Sequence, residues 1–205
     1  MITIIDYGAG NIFSVQNMLK KIGVKTVTGN NEFSIEQAEK LILPGVGAFD
    51  TCAQRLQDSG LQKALNKKVL EEKTPVLGIC VGMQLMMETS EEGVLPGLGW
   101  IKGKTVRFNR DTMPGDLKIP HIGWTGVELN KPSRLFEGMN GESRFYFVHA
   151  YYVLPEDDND VLVYARHGNR FPAALERGNI TGVQFHPEKS HKSGMKLLEN
   201  FAKNY

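Results

Sequence analysis

Short apolar runs alternate with segments of helical periodicity along the first half of the chain. Four such runs lie at residues 2–5, 24–27, 40–43 and 75–79. Each has the length and the apolar continuity of a buried strand. Apolar residues at the spacing of one helix face follow the first run, at Ile12, Val15, Leu19 and Ile22. A second helical pattern covers residues 56–70. This alternation predicts a parallel sheet with helices on both of its faces.

The pattern in the second half of the chain is more β-like. Residues 99–152 contain alternating stretches that predict a partly antiparallel extension of the sheet. Residues 180–185 alternate apolar with small or polar side chains and predict a strand. An amphipathic helix is predicted over residues 195–201. We therefore predict an α/β fold, with a mostly parallel central sheet flanked by helices, and expect residues 1–205 to form one domain.

Composition excludes several classes of partner. The 205 residues carry 24 Lys and Arg against 23 Asp and Glu, a formal net charge of +1, which gives no reason to expect nucleic-acid binding. No stretch approaches the roughly 18 apolar residues of a membrane span, and no signal peptide is indicated. Two cysteines outside any disulfide or metal pattern favour the cytoplasm. The five histidines show no ligand spacing, so we expect no metal and no other cofactor.

A cysteine flanked by glycines stands where the pattern changes from strand to helix. The string G-I-C-V-G occupies residues 78–82, and good helix formers follow it. The G-x-S-x-G elbow of α/β-hydrolases uses small flanking residues in the same way to expose a serine nucleophile. The backbone N–H of Val81 would point at a developing oxyanion beside Cys80. By contrast, a lone cysteine in an apolar stretch is usually a small buried hydrophobe, which is how we interpret Cys52.

An imidazole and a carboxylate lie further along the chain, in the string Q-F-H-P-E at residues 184–188. Pro187 biases His186 toward extended backbone, and the spacing of two lets Glu188 turn back onto the ring. A carboxylate there would hold the tautomer and stabilise the imidazolium. By itself, this segment is equally well interpreted as a strand-end histidine capped by a surface glutamate. Together with Cys80, it completes the minimum set for covalent attack on a carbonyl.

The two strings, G-I-C-V-G-M-Q and Q-F-H-P-E, together resemble the class I glutamine amidotransferases. In that family a cysteine attacks the side-chain amide of glutamine, ammonia leaves, and the thioester is hydrolysed to glutamate. The resemblance implies that Cys80 is the nucleophile, His186 the base and Glu188 its orienter. It also implies that Gln84 binds the glutamine substrate and that the fold is that of the class.

Two glycine-rich turns follow predicted strands. The string D-Y-G-A-G-N at residues 6–11 lacks the third glycine of a dinucleotide fingerprint, because Phe13 stands in its place. The string P-G-V-G at residues 44–47 allows close backbone approach to a ligand. Both strings resemble the branch of the family that serves imidazole glycerol phosphate synthase, in histidine biosynthesis. The resemblance implies an oxyanion hole formed by Gly47 and Val81. Without the resemblance, both strings are ordinary turns.

The string P-H-I-G-W at residues 120–124 also resembles this branch, in which it lies where the synthase partner binds and ammonia crosses. The implied partner is a separate cyclase subunit with a (βα)8 barrel fold. The implied interface residues are Asn11, His121, Trp124, Tyr146 and Lys189. The residues alone show only aromatic and basic side chains in predicted loops, where a histidine and a tryptophan often form a packed corner.

The function that the resemblance implies is hydrolysis of glutamine at Cys80, with the ammonia passed to the cyclase subunit. The nearest alternative is a glutaminase subunit for a different synthase. A cysteine hydrolase of another kind is disfavoured by Gln84 and by the H-P-E spacing. A binding module without activity is disfavoured because Cys80, His186 and Glu188 are all present.

Overall fold

The computed structural model describes residues 1–139 and 143–205. The first half of the chain contains β1 (Ile2–Ile5), α1 (Ile12–Lys21), β2 (Thr26–Gly29), α2 (Glu32–Glu36), β3 (Leu41–Gly45), α3 (Phe49–Asp58), α4 (Gln62–Asn66), β4 (Val76–Cys80), α5 (Val81–Gln84) and β5 (Thr89–Ser90). The second half contains β6 (Gly103–Arg107), β7 (His121–Gly126), β8 (Glu128–Leu129), β9 (Arg144–His149), β10 (Tyr151–Pro155), β11 (Val161–His167), β12 (Asn169–Arg177), β13 (Ile180–Val183) and α6 (His191–Asn204).

Eight of these strands form one sheet in the order β2-β1-β3-β4-β13-β12-β11-β8. The pairings from β2 to β13 are parallel, and those from β13 to β8 are antiparallel. The central strands β1, β3, β4 and β13 are buried throughout, as expected for a parallel sheet covered on both faces. The predicted α/β fold with a partly antiparallel extension is therefore confirmed.

The parallel register brings three strand ends to one edge of the sheet. Gly45 at the end of β3 pairs with Cys80 at the end of β4, and Val183 at the end of β13 pairs with Ile79. Loops at the carboxyl ends of parallel strands form the usual ligand site of open α/β sheets. Cys80 ends β4 and His186 follows β13 by three residues, so the predicted nucleophile and the predicted base lie at the ends of adjacent strands, at the same edge.

Two smaller sheets flank this edge. One has the strand order β10-β6-β5, and the other is the antiparallel pair of β7 and β9. In the second, His121 pairs with His149 and Trp124 pairs with Tyr146. None of the helices in the described part of the chain has the length and apolarity needed to cross a bilayer.

One predicted helix is wrong in its extent. The pattern at residues 56–70 predicted a single helix, but the structure has α3, a turn, α4 and a π-helical turn at Lys67–Glu71. The break comes at Gly60, whose φ of +70° lies in the left-handed region that ends helices. The predicted strand at 180–185 is also too long, since β13 ends at Val183. Residues 140–142 of the β-rich segment lie outside the described residues.

Candidate active site

Cys80 occupies a strained turn between β4 and α5. Its φ of 55° and ψ of −113° place a non-glycine residue at positive φ, a costly conformation that persists only when the surroundings hold it. The flanking glycines explain how it is held. A Cβ on Gly82 would lie 1.9 Å from the carbonyl oxygen of Leu43, and one on Gly78 would lie 2.8 Å from the backbone nitrogen of Met83. The G-x-C-x-G string is therefore required by close backbone packing around the thiol.

The helix that follows Cys80 is shorter than the sequence predicted. α5 ends at Gln84, because the next carbonyls bond to a different segment of the chain. The oxygen of Leu85 accepts from the N–H of Leu98 at 2.6 Å, and that of Met86 accepts from Ile101 at 3.0 Å. The apolar residues after Gln84 are thus buried in turns rather than along a helix face.

His186 and Glu188 form the expected pair. Nδ1–H of His186 donates to Oε1 of Glu188 at 2.8 Å, and the two side chains are 3 % and 1 % exposed. The backbone of His186 is fixed from two sides, since its N–H donates to Tyr146 O at 2.9 Å and its carbonyl accepts from Ser190 Oγ at 2.6 Å. Asn11 Nδ2 also donates to Glu188 Oε1, at 3.4 Å. The carboxylate therefore orients the ring, and the loop holds both.

The side chain of His186 is hydrogen-bonded to Glu188 and lines the same pocket as Cys80. Burial lowers the pKa of His186, but the neighbouring Cys80 and Glu188 outweigh it and raise the pKa to about 10. The imidazolium is thus stabilised between a sulfur and a carboxylate. Its contribution to folding stability is present below the unfolded pKa and is lost as the pH rises toward about 10. This arrangement can activate a thiol and then protonate a leaving group.

Replacing Glu188 by Gln is expected to lower kcat for glutamine hydrolysis by roughly 10²- to 10⁴-fold, because the ring loses its orienting charge. Oε2 of Glu188 is buried and has no hydrogen-bond partner within the described residues, so an amide NH₂ there would also be unsatisfied. The measurement is kcat at saturating glutamine. A kcat within threefold of wild type would contradict the role of the carboxylate.

A pocket of about 390 Å³ opens over Cys80. It is lined by Val46, Gly47, Cys80, Val81, Gln84, Glu92, Pro120, Val148, His149, Ala150, Tyr151, His186 and Lys189. The two predicted oxyanion residues, Gly47 and Val81, are both in its wall. Gly47 has a φ of +98°, a conformation that favours glycine. The structure thus brings the three predicted catalytic residues, the two oxyanion residues and Gln84 together.

The loop that carries Gly47 is held from behind by two buried side chains. Tyr7 donates from its hydroxyl to Pro44 O at 2.7 Å, and the Cys52 thiol donates to Val46 O at 3.3 Å. Burial raises the pKa of Tyr7 well above its usual range, so the hydroxyl stays a donor. Cys52 is therefore a buried packing residue, as predicted from the sequence, with an additional bond to the loop.

Two residues at the pocket were not predicted from the sequence. Gln184 is fully buried; its Oε1 accepts from Gln84 Nε2 at 3.1 Å and its Nε2 faces Cys80 Sγ at 3.7 Å. Glu92 lies in the pocket wall and accepts from the N–H of Phe49 at 3.0 Å. Burial raises the pKa of Glu92. Gln184 stands beside the H-P-E string and could have been singled out, whereas Glu92 lies in a charged stretch that gave no signal.

The predicted interface residues divide into two groups. Trp124 is 37 % exposed and packs edge-to-face on Tyr146 at 6.0 Å, and the ammonium of Lys189 lies 5.8 Å from the Tyr146 ring. This group stands beside the pocket, which Lys189 lines. Asn11, half-buried, reaches Glu188. His121 is only 4 % exposed, so its side chain offers no surface to a partner. Its ring is stacked against that of His167 at 4.3 Å.

We expect acid to destabilise the fold through His121 and His149. Burial lowers the pKa of His121 to about 4 and that of His149 to about 3, whereas both titrate near 6.5 when unfolded. The folding stability that the two neutral rings contribute is present above the unfolded pKa of about 6.5. It is lost as the pH falls toward the folded-state pKa values. The free energy of unfolding should fall by about 3 kcal/mol between pH 6.5 and about pH 5. Urea unfolding at the two pH values measures this change in the free energy of unfolding. An equal free energy of unfolding at both pH values would contradict the burial of neutral rings.

Comparison with known proteins agrees with this geometry. Residues 3–205 match the family described as glutamine amidotransferase class-I. The chain is 51 % identical over 201 residues to imidazole glycerol phosphate synthase subunit HisH 2 of Pseudomonas aeruginosa, covering 98 % of each chain. It is 52 % identical over 203 residues to HisH 2 of Methanococcus maripaludis, covering 99 % of each. The chain therefore belongs to the class I glutamine amidotransferase family and, within it, to the HisH subunits of imidazole glycerol phosphate synthase.

Solved structures show the same fold at low sequence identity. A crystal structure of a glutamine amidotransferase aligns with a TM-score of 0.73 at 21 % identity, covering 98 % of this chain and 97 % of that chain. PurLQS from Thermotoga maritima aligns with a TM-score of 0.71 at 18 % identity, covering 98 % and 96 %. The fold class and the family predicted from the two strings are confirmed.

Proposed function

We propose that this chain hydrolyses glutamine to glutamate and ammonia through a thioester on Cys80. It passes the ammonia to a separate cyclase subunit, which forms imidazole glycerol phosphate in histidine biosynthesis. The observation that carries the proposal is the pocket that Cys80 and His186 both line, with Glu188 hydrogen-bonded to the imidazole of His186. Membership among the HisH subunits supports the choice of pathway.

Each proposed step uses an atom with a defined place in the pocket. His186 is an imidazolium that holds the proton on Nε2, and the sulfur of Cys80 attacks the side-chain carbonyl of glutamine as a thiolate. The N–H groups of Val81 and Gly47 stabilise the oxyanion. His186 returns the proton to the amide nitrogen, so ammonia leaves and a thioester remains. Water then attacks the thioester, with His186 again as base, and the reaction yields glutamate and the free thiol.

Substrate binding is proposed for two further groups in the pocket wall. Both amide protons of Gln84 are used, by Tyr151 O at 3.2 Å and by Gln184 Oε1 at 3.1 Å. Its Oε1 is therefore the atom with hydrogen-bonding capacity to spare for a ligand. Glu92 adds a carboxylate to the wall, and we assign it to the α-ammonium group of glutamine.

The proposed partner surface lies beside the pocket. Ile122 is 60 % exposed and Trp124 37 %, and exposed apolar groups of this size are typical of interaction surfaces. Tyr146 and Lys189 complete the patch, and Asn11 lies next to Glu188. We propose that a cyclase subunit with a (βα)8 barrel fold binds here. We also propose a cytoplasmic location, because Cys80 must remain a free thiol.

Service to a different synthase is the alternative, and a partner exchange distinguishes the two. Glutamate release is measured for the chain alone, with a histidine-pathway cyclase that holds its nucleotide substrate, and with an anthranilate synthase subunit that holds chorismate. We expect release to rise at least about tenfold only with the liganded cyclase. A rise with the anthranilate subunit alone would favour the alternative, and no release in any mixture would contradict glutaminase activity.

A further inference from the structure

The wall of the pocket makes a bend between two strands that belong to different sheets. His149 ends β9, Ala150 is the bend, and Tyr151 begins β10. The ring of His149 closes the bend, since its Nδ1 lies 2.8 Å from Tyr151 O. The same carbonyl oxygen accepts from Gln84 Nε2 at 3.2 Å. The backbone carbonyl of Tyr151 thus connects His149 in the pocket wall to Gln84, which is proposed to bind the substrate.

This carbonyl fixes the protons along a chain of side chains, because a carbonyl can only accept. Nδ1 of His149 must therefore carry a proton, and Nε2 of the neutral ring is then an acceptor. It accepts from Nδ1–H of His121 at 3.0 Å. Nε2 of His121 is an acceptor in turn, and Thr125 Oγ1 donates to it at 2.9 Å. Both rings are held in the Nδ1–H tautomer.

The chain of bonds continues to the nucleophile on the other side of the carbonyl. Gln84 donates its second amide proton to Gln184 Oε1 at 3.1 Å, which turns Gln184 Nε2 toward Cys80 Sγ at 3.7 Å. The bond from Gln84 to Tyr151 O therefore sets the orientation of the Gln84 amide, and the Gln84 amide sets that of Gln184. The path begins on β7 at Thr125, next to the exposed Trp124, and ends at the thiol.

The imidazole pair lies in an apolar, aromatic environment that keeps it uncharged. His149 is 6 % exposed, with the rings of Phe108 and Phe171 each 5.2 Å from its own. His121 is stacked on Phe147 at 4.9 Å. A charged His149 would donate from Nε2 and reverse the bond between the rings, but burial lowers its pKa to about 3, so the ring is neutral and accepts from His121.

We propose that His149, oriented by His121, is a positioning residue for glutamine binding: its Nδ1–H holds the Tyr151 carbonyl, and through it the pocket wall and Gln84. The proposal rests on the proposed function. It adds a task for His121, whose side chain is buried behind the pocket and has no access to a partner surface. The ring acts through the carbonyl and touches no reacting atom.

Two substitutions separate this role from simple packing. An Asn at position 149 can donate from the place of Nδ1, whereas a Gln places its amide near Nε2 and loses that donor. In complex with the liganded cyclase, we expect His149→Gln to raise the KM for glutamine about tenfold or more and to change kcat less than KM. His149→Asn should recover most of the affinity. Equal KM values for the two variants, or a fall confined to kcat, would overturn the proposal.

A spectroscopic measurement keeps the proposal testable if either variant fails to fold. In the complex carrying Cys80→Ser, which binds glutamine without turnover, ¹⁵N spectra of the imidazoles should show Nδ1–H on His149 and on His121. The His149 Nδ1–H resonance should shift when glutamine is added. An Nε2–H tautomer on His149, or no shift at saturating glutamine, would overturn the proposal. Absence of glutamate release by the wild-type complex would instead overturn the proposed function, whatever the tautomers are.

Discussion

Cys80→Ser is expected to lower glutamine hydrolysis in the liganded complex by at least about 10⁴-fold while leaving the fold intact. A serine hydroxyl is a far weaker nucleophile than a thiolate paired with an imidazolium, and a primary amide is a poor electrophile. The substitution changes one atom, and both glycines of the turn stay in place, so the strained turn should form as before. The measurement is glutamate release at saturating glutamine, with urea unfolding to report on stability.

Cys52→Ser is the matched control for this prediction. Cys52 is fully buried and donates to Val46 O at 3.3 Å, which a serine hydroxyl can also do. We expect hydrolysis within roughly threefold of wild type and a loss of stability of about 1 kcal/mol. Equal loss of activity in the two variants would mean that the chemistry does not depend on Cys80 in particular.

Gly82→Ala is expected to destabilise the protein by at least about 3 kcal/mol and to abolish hydrolysis. The added Cβ would stand 1.9 Å from the carbonyl oxygen of Leu43, a backbone atom that cannot rotate away. α5 and β3 must then separate. This displaces both the N–H of Val81 and the thiol of Cys80 from their places in the pocket. Urea unfolding gives the loss of stability, and glutamate release in the complex gives the loss of activity.

Gly126→Ala is the control for that substitution. Gly126 ends β7, its φ is not in the left-handed region, and a Cβ there would meet no atom of the described residues within 4 Å. We expect its stability to stay within about 0.5 kcal/mol of wild type. If Gly82→Ala were as stable and as active as Gly126→Ala, the close approach of α5 to β3 would not be what holds the turn.

The catalytic set could be predicted from the sequence because each part of it is local. Cys80 depends on two glycines within two residues, and Glu188 reaches His186 across a spacing of two. The alternation of apolar runs likewise indicated the central strands. The boundaries could not be predicted as well, because distant segments decide them. α5 stops where Leu98 and Ile101 take the carbonyls of the following turn, and no periodicity near Gln84 contains that information.

The polar network behind the pocket depends on contacts that only the fold creates. Gln84 ends the helix that follows β4, and Gln184 comes directly after β13, so the pairing of these two strands brings together residues that are far apart in the chain. His121 was expected at an interface, but the pairing of β7 with β9 turns its ring toward His149. A side chain on the opposite face of β7, Trp124, remains at the surface. Strand register, which the sequence did not specify here, decides which residues of β7 remain at the surface.

The thioester between glutamine and Cys80 is the intermediate on which the proposed function depends. Its most direct test is rapid acid quenching of the wild-type complex with the liganded cyclase during turnover of glutamine, followed by mass spectrometry of the peptides. We expect a γ-glutamyl group on the peptide that contains Cys80 and none on the peptide that contains Cys52. Glutamate release without any adduct on Cys80, at times when turnover is under way and with deacylation slowed at low temperature, would contradict it.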